Sequence, residues 1–506
     1  MKPRSSVSET GAGQVSLVVP HLPAAVERAA RRWPDKVAWR FDPGEVLTFA
    51  DVDERTRAYA EALRSRGIGA GNRVAVMIGN QVEFPLTWLA LTRIGAAIVP
   101  VNVRYQSADA AHVLELTSAD AVVTTAEYAP LVEALGHPAP TINVADLAAH
   151  AAEGGHIDHQ PRSGDTVNIQ MTSGTTGRPK GCVLSHDYWL TLAGSMLDQF
   201  PHLDEHDVML TAQPFSYIDP QWNLVAALLA GAELVVLDGF HPSTFWSKVR
   251  EHDVTYFYCL AAMPTLLLRM PADPLDREHR VRAVQCSAIP PALHAALEDR
   301  WGTPWHEAFG MTETGADLRV GADDHDALVG SGSVGRPAGH REARIETGPD
   351  GHSGELLLRG PGMMDGYLDD PAATARAFAD GWFHTGDLAR MDEAGNVYLV
   401  GRRKDMIRRS GENVAAREVE EVLLTHPAVR LAAVVGVPDD LRGEEIKAYV
   451  VADVTAAELA DYCGARLAAF KVPRFWSFHD DLPRTPSERV EKSKLAALAG
   501  DPVEAR

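Results

Sequence analysis

Short apolar runs alternate with longer stretches of helical period along most of this 506-residue chain, and that alternation constrains the fold more than any other feature. Leu22–Trp33 carries helical spacing. Val37–Arg40 and Val46–Phe49 read as a strand pair about an Asp-Pro-Gly turn. Asp51–Ser65 is amphipathic, Val74–Ile78 is a short buried strand, Val82–Ile94 a helix and Ala97–Pro100 a strand. The pattern continues through Ala121–Thr125, Glu233–Leu237, Tyr256–Leu260 and Val281–Cys286. Apolar strands separated by helices predict an α/β fold, in which parallel-rich sheets are covered by helices on their faces.

The texture changes beyond Gly339. Ala343–Thr347, Gly354–Arg359 and Val397–Val400 predict a small β-rich part with turns at Pro349-Asp350-Gly351 and Asp392-Glu393-Ala394-Gly395. The charged segment Gly401-Arg402-Arg403-Lys404-Asp405 has no periodicity. It is followed by a helix over Ala415–Thr425, strands over Val429–Val437 and Ile446–Val451, and a helix over Ala456–Ala468. The expected division is a flexible tail over 1–15, a large domain over 16–403 and a small α+β domain over 404–506.

Lys plus Arg number 48 against 69 for Asp plus Glu, a net charge of −21, which weighs against non-specific binding to nucleic acid or to an anionic membrane. The apolar stretches Ile94–Val103 and Trp222–Ala232 are too short to span a bilayer. Cys182, Cys259, Cys286 and Cys463 match no metal or redox spacing, and the N-terminus lacks an apolar signal core. A cytoplasmic protein with reduced thiols is expected, with neither nucleic acid nor membrane as a partner.

The strongest chemical signal is Thr172-Ser173-Gly174-Thr175-Thr176-Gly177-Arg178-Pro179-Lys180-Gly181, after a strand-like Val167–Met171. Glycines let backbone N–H groups approach an anion, hydroxyls add donors, and Lys180 adds a point charge. Such a cradle suits a polyphosphate. It is not the G-x-x-x-x-G-K-[ST] loop, because Lys180 is followed by Gly181.

This loop resembles the phosphate loop of the adenylate-forming superfamily, which includes acyl- and aryl-CoA synthetases. Further segments resemble that family's motifs in the same order: Phe309-Gly310-Met311-Thr312-Glu313-Thr314, Trp382-Phe383-His384-Thr385-Gly386-Asp387, and Gly401–Ile407 leading to Ser410-Gly411-Glu412-Asn413. The texture is nearest to the carnitine/crotonobetaine-CoA ligase type. The resemblance implies ATP, Mg²⁺ and CoA as cofactors and a C-terminal domain that moves. It implies that Thr172, Ser173, Gly174, Thr175, Thr176 and Gly177 hold phosphates with Lys180. Glu313 would hold Mg²⁺ and Thr312 would donate to the α-phosphate. Ser287, Ala288, Phe309 and Gly310 would border the adenine. Asp387 would accept from the ribose hydroxyls, with Arg402 nearby. Lys404 would mark the hinge and Gly411 the channel for a thiol. Taken alone, Asp387 reads as a cap or turn residue.

Two departures stand out. Arg489 occupies the place of a tail lysine in the family, in Pro483-Arg484-Thr485-Pro486-Ser487-Glu488-Arg489-Val490. A planar fork replaces a compact ammonium. Arg489 then does the same job, slows the first step, or serves an oxyanion of another shape; Lys492 and Lys494 are out of register. The second departure is Tyr217, where many relatives have His. Tyr217, Asp219 and Trp222 suit a cationic or amino-bearing substrate. On residues alone, Asp219-Pro220 reads rather as a helix cap, while the two aromatics fit either a substrate wall or the core.

The expected function is an ATP-dependent, AMP-forming ligase that activates a small carboxylic acid as acyl-AMP and passes it to CoA. The competing expectation keeps adenylation but changes the acceptor. It covers amide formation with an amine, activation of nitrite for diazotisation of an aromatic amine, and transfer to a carrier protein.

Overall fold

The computed structural model describes residues 19–149, 159–172, 180–260, 262–347, 353–409, 412–439, 441–484, 490–498 and 503–504. Of the expected site residues, Ser173, Gly174, Thr175, Thr176, Gly177, Gly411 and Arg489 lie outside these, as does the side chain of Lys404.

Four sheets form among the described residues. In a seven-stranded sheet the central strands Arg73–Met77, Ala97–Pro100, Ala121–Thr124 and Thr166–Thr172 run parallel. Ala97–Pro100 and Ala121–Thr124 are buried at every position, as continuous apolar runs between two helical layers must be. Lys180–Ser185 and Gly366–Tyr367 extend this sheet antiparallel. A nine-stranded sheet has a parallel centre of Val37–Asp42, Glu233–Leu237, Val208–Thr211, Tyr256–Leu260, Ala283–Ser287 and Trp305–Met311. Helix Phe49–Ser65 starts where Thr48 and Asp51 cap each other's backbone N–H groups. The α/β expectation with parallel-rich sheets holds.

The β-rich part is a four-stranded antiparallel sheet of Glu342–Thr347, Gly354–Arg359, Phe383–Met391 and Val397–Arg402. Phe383–Met391, which contains Thr385-Gly386-Asp387, is its longest strand. A 3₁₀ turn over Arg403–Asp405 follows directly. Beyond it, Met406–Arg409, Glu412–Ala415, Val429–Asp439, Gly443–Ala452 and Phe475–Phe478 form a sheet against helices Ala416–Leu424 and Ala456–Gly464. Ile407, Val419, Val434, Ile446 and Trp476 share a hydrophobic core there, drawn from this part of the chain alone.

The four cysteines are free and buried. Among the described residues no helix is long and apolar enough to cross a membrane.

Candidate active site

A cavity of about 950 Å³ lies between the two parallel-rich sheets and the C-terminal tail. Thr172, Ser287, Phe309, Gly310, Thr312, Glu313 and Arg402 are on its wall, as are Tyr217, Asp219 and Trp222. The tail segment reaches the same wall through Arg484, Glu491 and Lys494.

Phe309-Gly310-Met311-Thr312-Glu313-Thr314 folds as the end of strand Trp305–Met311 and the turn into strand Gly315–Arg319. Gly310 is required by packing, since a Cβ there would sit 2.1 Å from the Gly315 carbonyl oxygen. The turn brings the Glu313 carboxylate inward, where it is 7% exposed. Burial pushes this carboxyl above the ordinary carboxylate range, while the hydroxyl of Tyr367, donating to Oε1 at 3.1 Å, opposes the shift. Tyr367 pairs with Cys182, two residues after Lys180 on the same strand, and Lys180 Nζ lies 4.6 Å from the centre of its ring. Lys180, Tyr367 and Glu313 are thus one chain of contacts. The charges of Arg402 and Asp387 also act on Glu313.

Asp387 and Arg402 are register partners on adjacent strands, joined by Arg402 Nε donating to Oδ1 at 2.9 Å. Thr385 turns its hydroxyl to the Leu356 carbonyl at 2.7 Å and accepts the Asp387 N–H at 3.0 Å. Asp387 is therefore a strand residue, not the cap or turn residue it suggests in isolation. Lys404 lies on the 3₁₀ turn just after this pair.

Ser287 ends strand Ala283–Ser287, and Ala288 follows with φ +71°. The N–H groups of Ala288 and Ile289 donate to the two carboxyl oxygens of Glu307 at 2.6 and 2.8 Å. Burial drives the Glu307 carboxyl up to about 8 against these two donors. Ser287 Oγ donates to the Ala308 carbonyl at 2.8 Å, so its 2.5 Å contact with Tyr258 has the phenol as donor.

The Tyr217 loop is held by buried amides. Gln221 Nε2 donates to the Phe215 and Tyr217 carbonyls at 2.8 and 2.9 Å, and Gln170 Nε2 to that of Ser216 at 2.6 Å. Asn102 Nδ2 reaches the Tyr217 hydroxyl at 3.2 Å. Trp222 is buried yet on the cavity wall, edge-on to Tyr258 at 5.4 Å. The cap reading of Asp219 is corrected here. Helix Ile218–Ala230 has Tyr217 at its cap position, and Asp219 is its second residue, because the amide-held loop starts the helix earlier than Pro220. Glu307, Tyr258 and Tyr367 belong to none of the sequence motifs. Glu307, an acid two residues before a motif inside an apolar strand, was a detectable signal, whereas Tyr367 joins the site from 54 residues away.

The AMP-binding enzyme family profile matches residues 26–368, and that of the AMP-binding enzyme C-terminal domain matches residues 418–489. The crotonobetaine/carnitine–CoA ligase of Citrobacter koseri is 34% identical, the match covering 92% of this chain and 97% of that protein. Among solved structures, o-succinylbenzoate CoA synthetase from Bacillus subtilis, in complex with its acyl-adenylate intermediate, superposes with a TM-score of 0.85 at 28% identity. That match covers 96% of this chain and 99% of the other. The same synthetase with ATP and magnesium ion gives a TM-score of 0.84 at 28% identity, covering 94% and 99%.

Proposed function

Given that this chain belongs to the AMP-binding enzyme family, whose profile spans most of it, we propose that it is an AMP-forming ligase that activates a small carboxylic acid and transfers the acyl group to coenzyme A. The observation that carries this reading is that Glu313 and Arg402 line one cavity, each backed by its own partners: Glu313 by Tyr367 and, through it, Lys180, and Arg402 by Asp387. The relatives named above are CoA ligases or synthetases, which does not favour amine, nitrite or carrier-protein acceptors.

In the first half-reaction a carboxylate oxygen attacks the α-phosphorus of ATP, and the bond from that phosphorus to the bridging oxygen breaks as pyrophosphate leaves. Thr172, Ser173, Gly174, Thr175, Thr176 and Gly177 bind phosphates together with Lys180. Thr312 donates to the α-phosphate, and Arg489 neutralises charge at the reacting oxygens. Asp387 orients the ribose by accepting from its hydroxyls, and Arg402 holds Asp387 in place. Ser287, Ala288, Phe309 and Gly310 form the adenine wall. The Glu313 carboxylate fits a hard cation. It is buried, aimed at the cavity, and destabilised as an anion in the absence of a counter-charge. A Mg²⁺ held there supplies charge neutralisation for the phosphates.

In the second half-reaction the thiol sulfur of CoA attacks the acyl carbon, and its bond to the AMP oxygen breaks. We take the chain to divide between 16–403 and 404–506, with Lys404 at the hinge. Rotation about it carries Gly411 to the site, where a missing Cβ leaves room for the thiol arm. Tyr217, Asp219 and Trp222 contribute the acid-binding side of the cavity. The test is AMP release over a panel of carboxylic acids with and without CoA. AMP and an acyl-CoA thioester support the proposal; AMP formation indifferent to CoA with every acid contradicts it.

A further inference from the structure

The cavity wall bears Arg104, Arg319, Arg402, Arg484 and Lys494, and these cations are not equivalent. Arg402 is paired with Asp387 at 2.9 Å, Arg484 with Asp481 at 2.6 Å and Lys494 with Glu491 at 2.9 Å. Arg319, on strand Gly315–Arg319, is 7% exposed and also lines the cavity. Within the described residues its guanidinium donates only to neutral acceptors: the Phe200 carbonyl at 2.7 Å, the Ser195 carbonyl at 3.2 Å, Ser195 Oγ at 2.9 Å and Met196 Sδ at 3.6 Å. Among the described residues no carboxylate is its ion-pair partner. Asp317, two residues earlier, is committed to Arg341 Nε at 2.8 Å and to Thr314 Oγ1 at 2.5 Å, so this cluster of three charges keeps one net positive. The neighbouring groups do not cancel it. Burial lowers His340 and His306 to about 3, leaving both neutral, and lifts Glu307 to about 8.

A buried cation without a counter-charge is costly, and the arrangement is relieved when an anion enters. A donor side chain stands on the same wall. Gln285 Oε1 accepts the Tyr256 hydroxyl at 2.6 Å, so the amide NH₂ is the end Gln285 retains for a ligand. Leu192, Met196 and Leu318 supply the apolar surface around these polar groups. Resting on the adenylation reading above and deepening it, we propose that the acid activated here carries a second anionic group, a carboxylate, which Arg319 recognises with Gln285. Arg319 is then a specificity-determining residue. The first carboxylate goes to the α-phosphorus and the second stays at Arg319.

Arg319 also ties down the end of helix His186–Asp198, so its removal has a structural side. Pyrophosphate release is therefore measured for length-matched monocarboxylic and dicarboxylic acids, on wild type, Arg319→Met, Arg319→Lys and Gln285→Leu. The expected result is a preference of wild type for the dicarboxylic acid by about tenfold or more in kcat/KM, lost in Arg319→Met and partly kept in Arg319→Lys. A purely structural Arg319 slows both acids equally and leaves their ratio unchanged, which overturns the proposal. If Arg319→Met does not fold, Gln285→Leu and wild type decide: a wild type that uses the monocarboxylic acid better overturns it. If no acid of either kind releases pyrophosphate, it is adenylation that fails. Calorimetry of the same two acids on wild type then decides the role of Arg319, and equal affinities overturn it.

Discussion

Asp387 and Arg402 face each other across adjacent antiparallel strands, 2.9 Å apart at Oδ1 and Nε, and the strand bearing Arg402 ends at that residue. The pair stands where the chain leaves the four-stranded sheet for the 3₁₀ turn over Arg403–Asp405. Asp387→Asn keeps the size of the side chain but removes the charge that holds Arg402 and that, in the proposed complex, accepts from the two ribose hydroxyls. It is expected to raise the KM for ATP by about tenfold or more with little change in melting temperature. ATP titrations at saturating acid check this, and an unchanged KM contradicts the ribose assignment.

Gly310→Ala tests the backbone of the same site. The new methyl group meets the Gly315 carbonyl oxygen, which is backbone and cannot rotate away. The strands Trp305–Met311 and Gly315–Arg319 must part, displacing Thr312 and Glu313. The variant is expected to lose most AMP formation and to melt earlier, as read by thermal denaturation with and without ATP and Mg²⁺. Wild-type behaviour contradicts the close approach.

Glu307 gives a pH prediction with a definite sign. Burial raises its carboxyl from 4.5 to about 8 in the folded chain, so the folded state binds more protons than the unfolded state between these values. Stability contributed by this group is present below the unfolded value and is lost as pH rises toward 8. Relative to Glu307→Gln, the wild type is expected to lose melting temperature from pH 5 to pH 8 and then level off. A difference between the two that stays flat over this window contradicts the raised carboxyl.

Arg489→Lys restores a compact ammonium at the tail position. Adenylation of a carboxylate, followed as pyrophosphate release, is expected to be retained or increased. Collapse of activity shows that the guanidinium itself is needed.

Much of the fold is legible locally. Runs such as Val74–Ile78 and Ala97–Pro100 are apolar at consecutive positions because helices cover both faces of their sheet. Phe383–Met391 is not legible as a strand because Thr385, Gly386 and Asp387 interrupt its apolar pattern. The motifs singled out in the sequence are legible because each is contiguous. Tyr367, Tyr258 and Arg319 are not, since their relation to the cavity is created by strand pairing across distant segments. Lys492 illustrates the converse. Next to the tail motif in sequence, it is taken by Glu420 at 2.7 Å and Asp405 at 3.8 Å, securing the tail to the turn that contains Lys404.

The central claim is that a carboxylate oxygen is captured by the innermost phosphorus of ATP in this cavity. Supplying the enzyme with a carboxylic acid labelled with heavy oxygen, together with ATP, Mg²⁺ and CoA, and weighing the released AMP by mass spectrometry tests it most directly. The account predicts AMP carrying one heavy oxygen atom from the acid. Unlabelled AMP, or ADP and orthophosphate in its place, contradicts it.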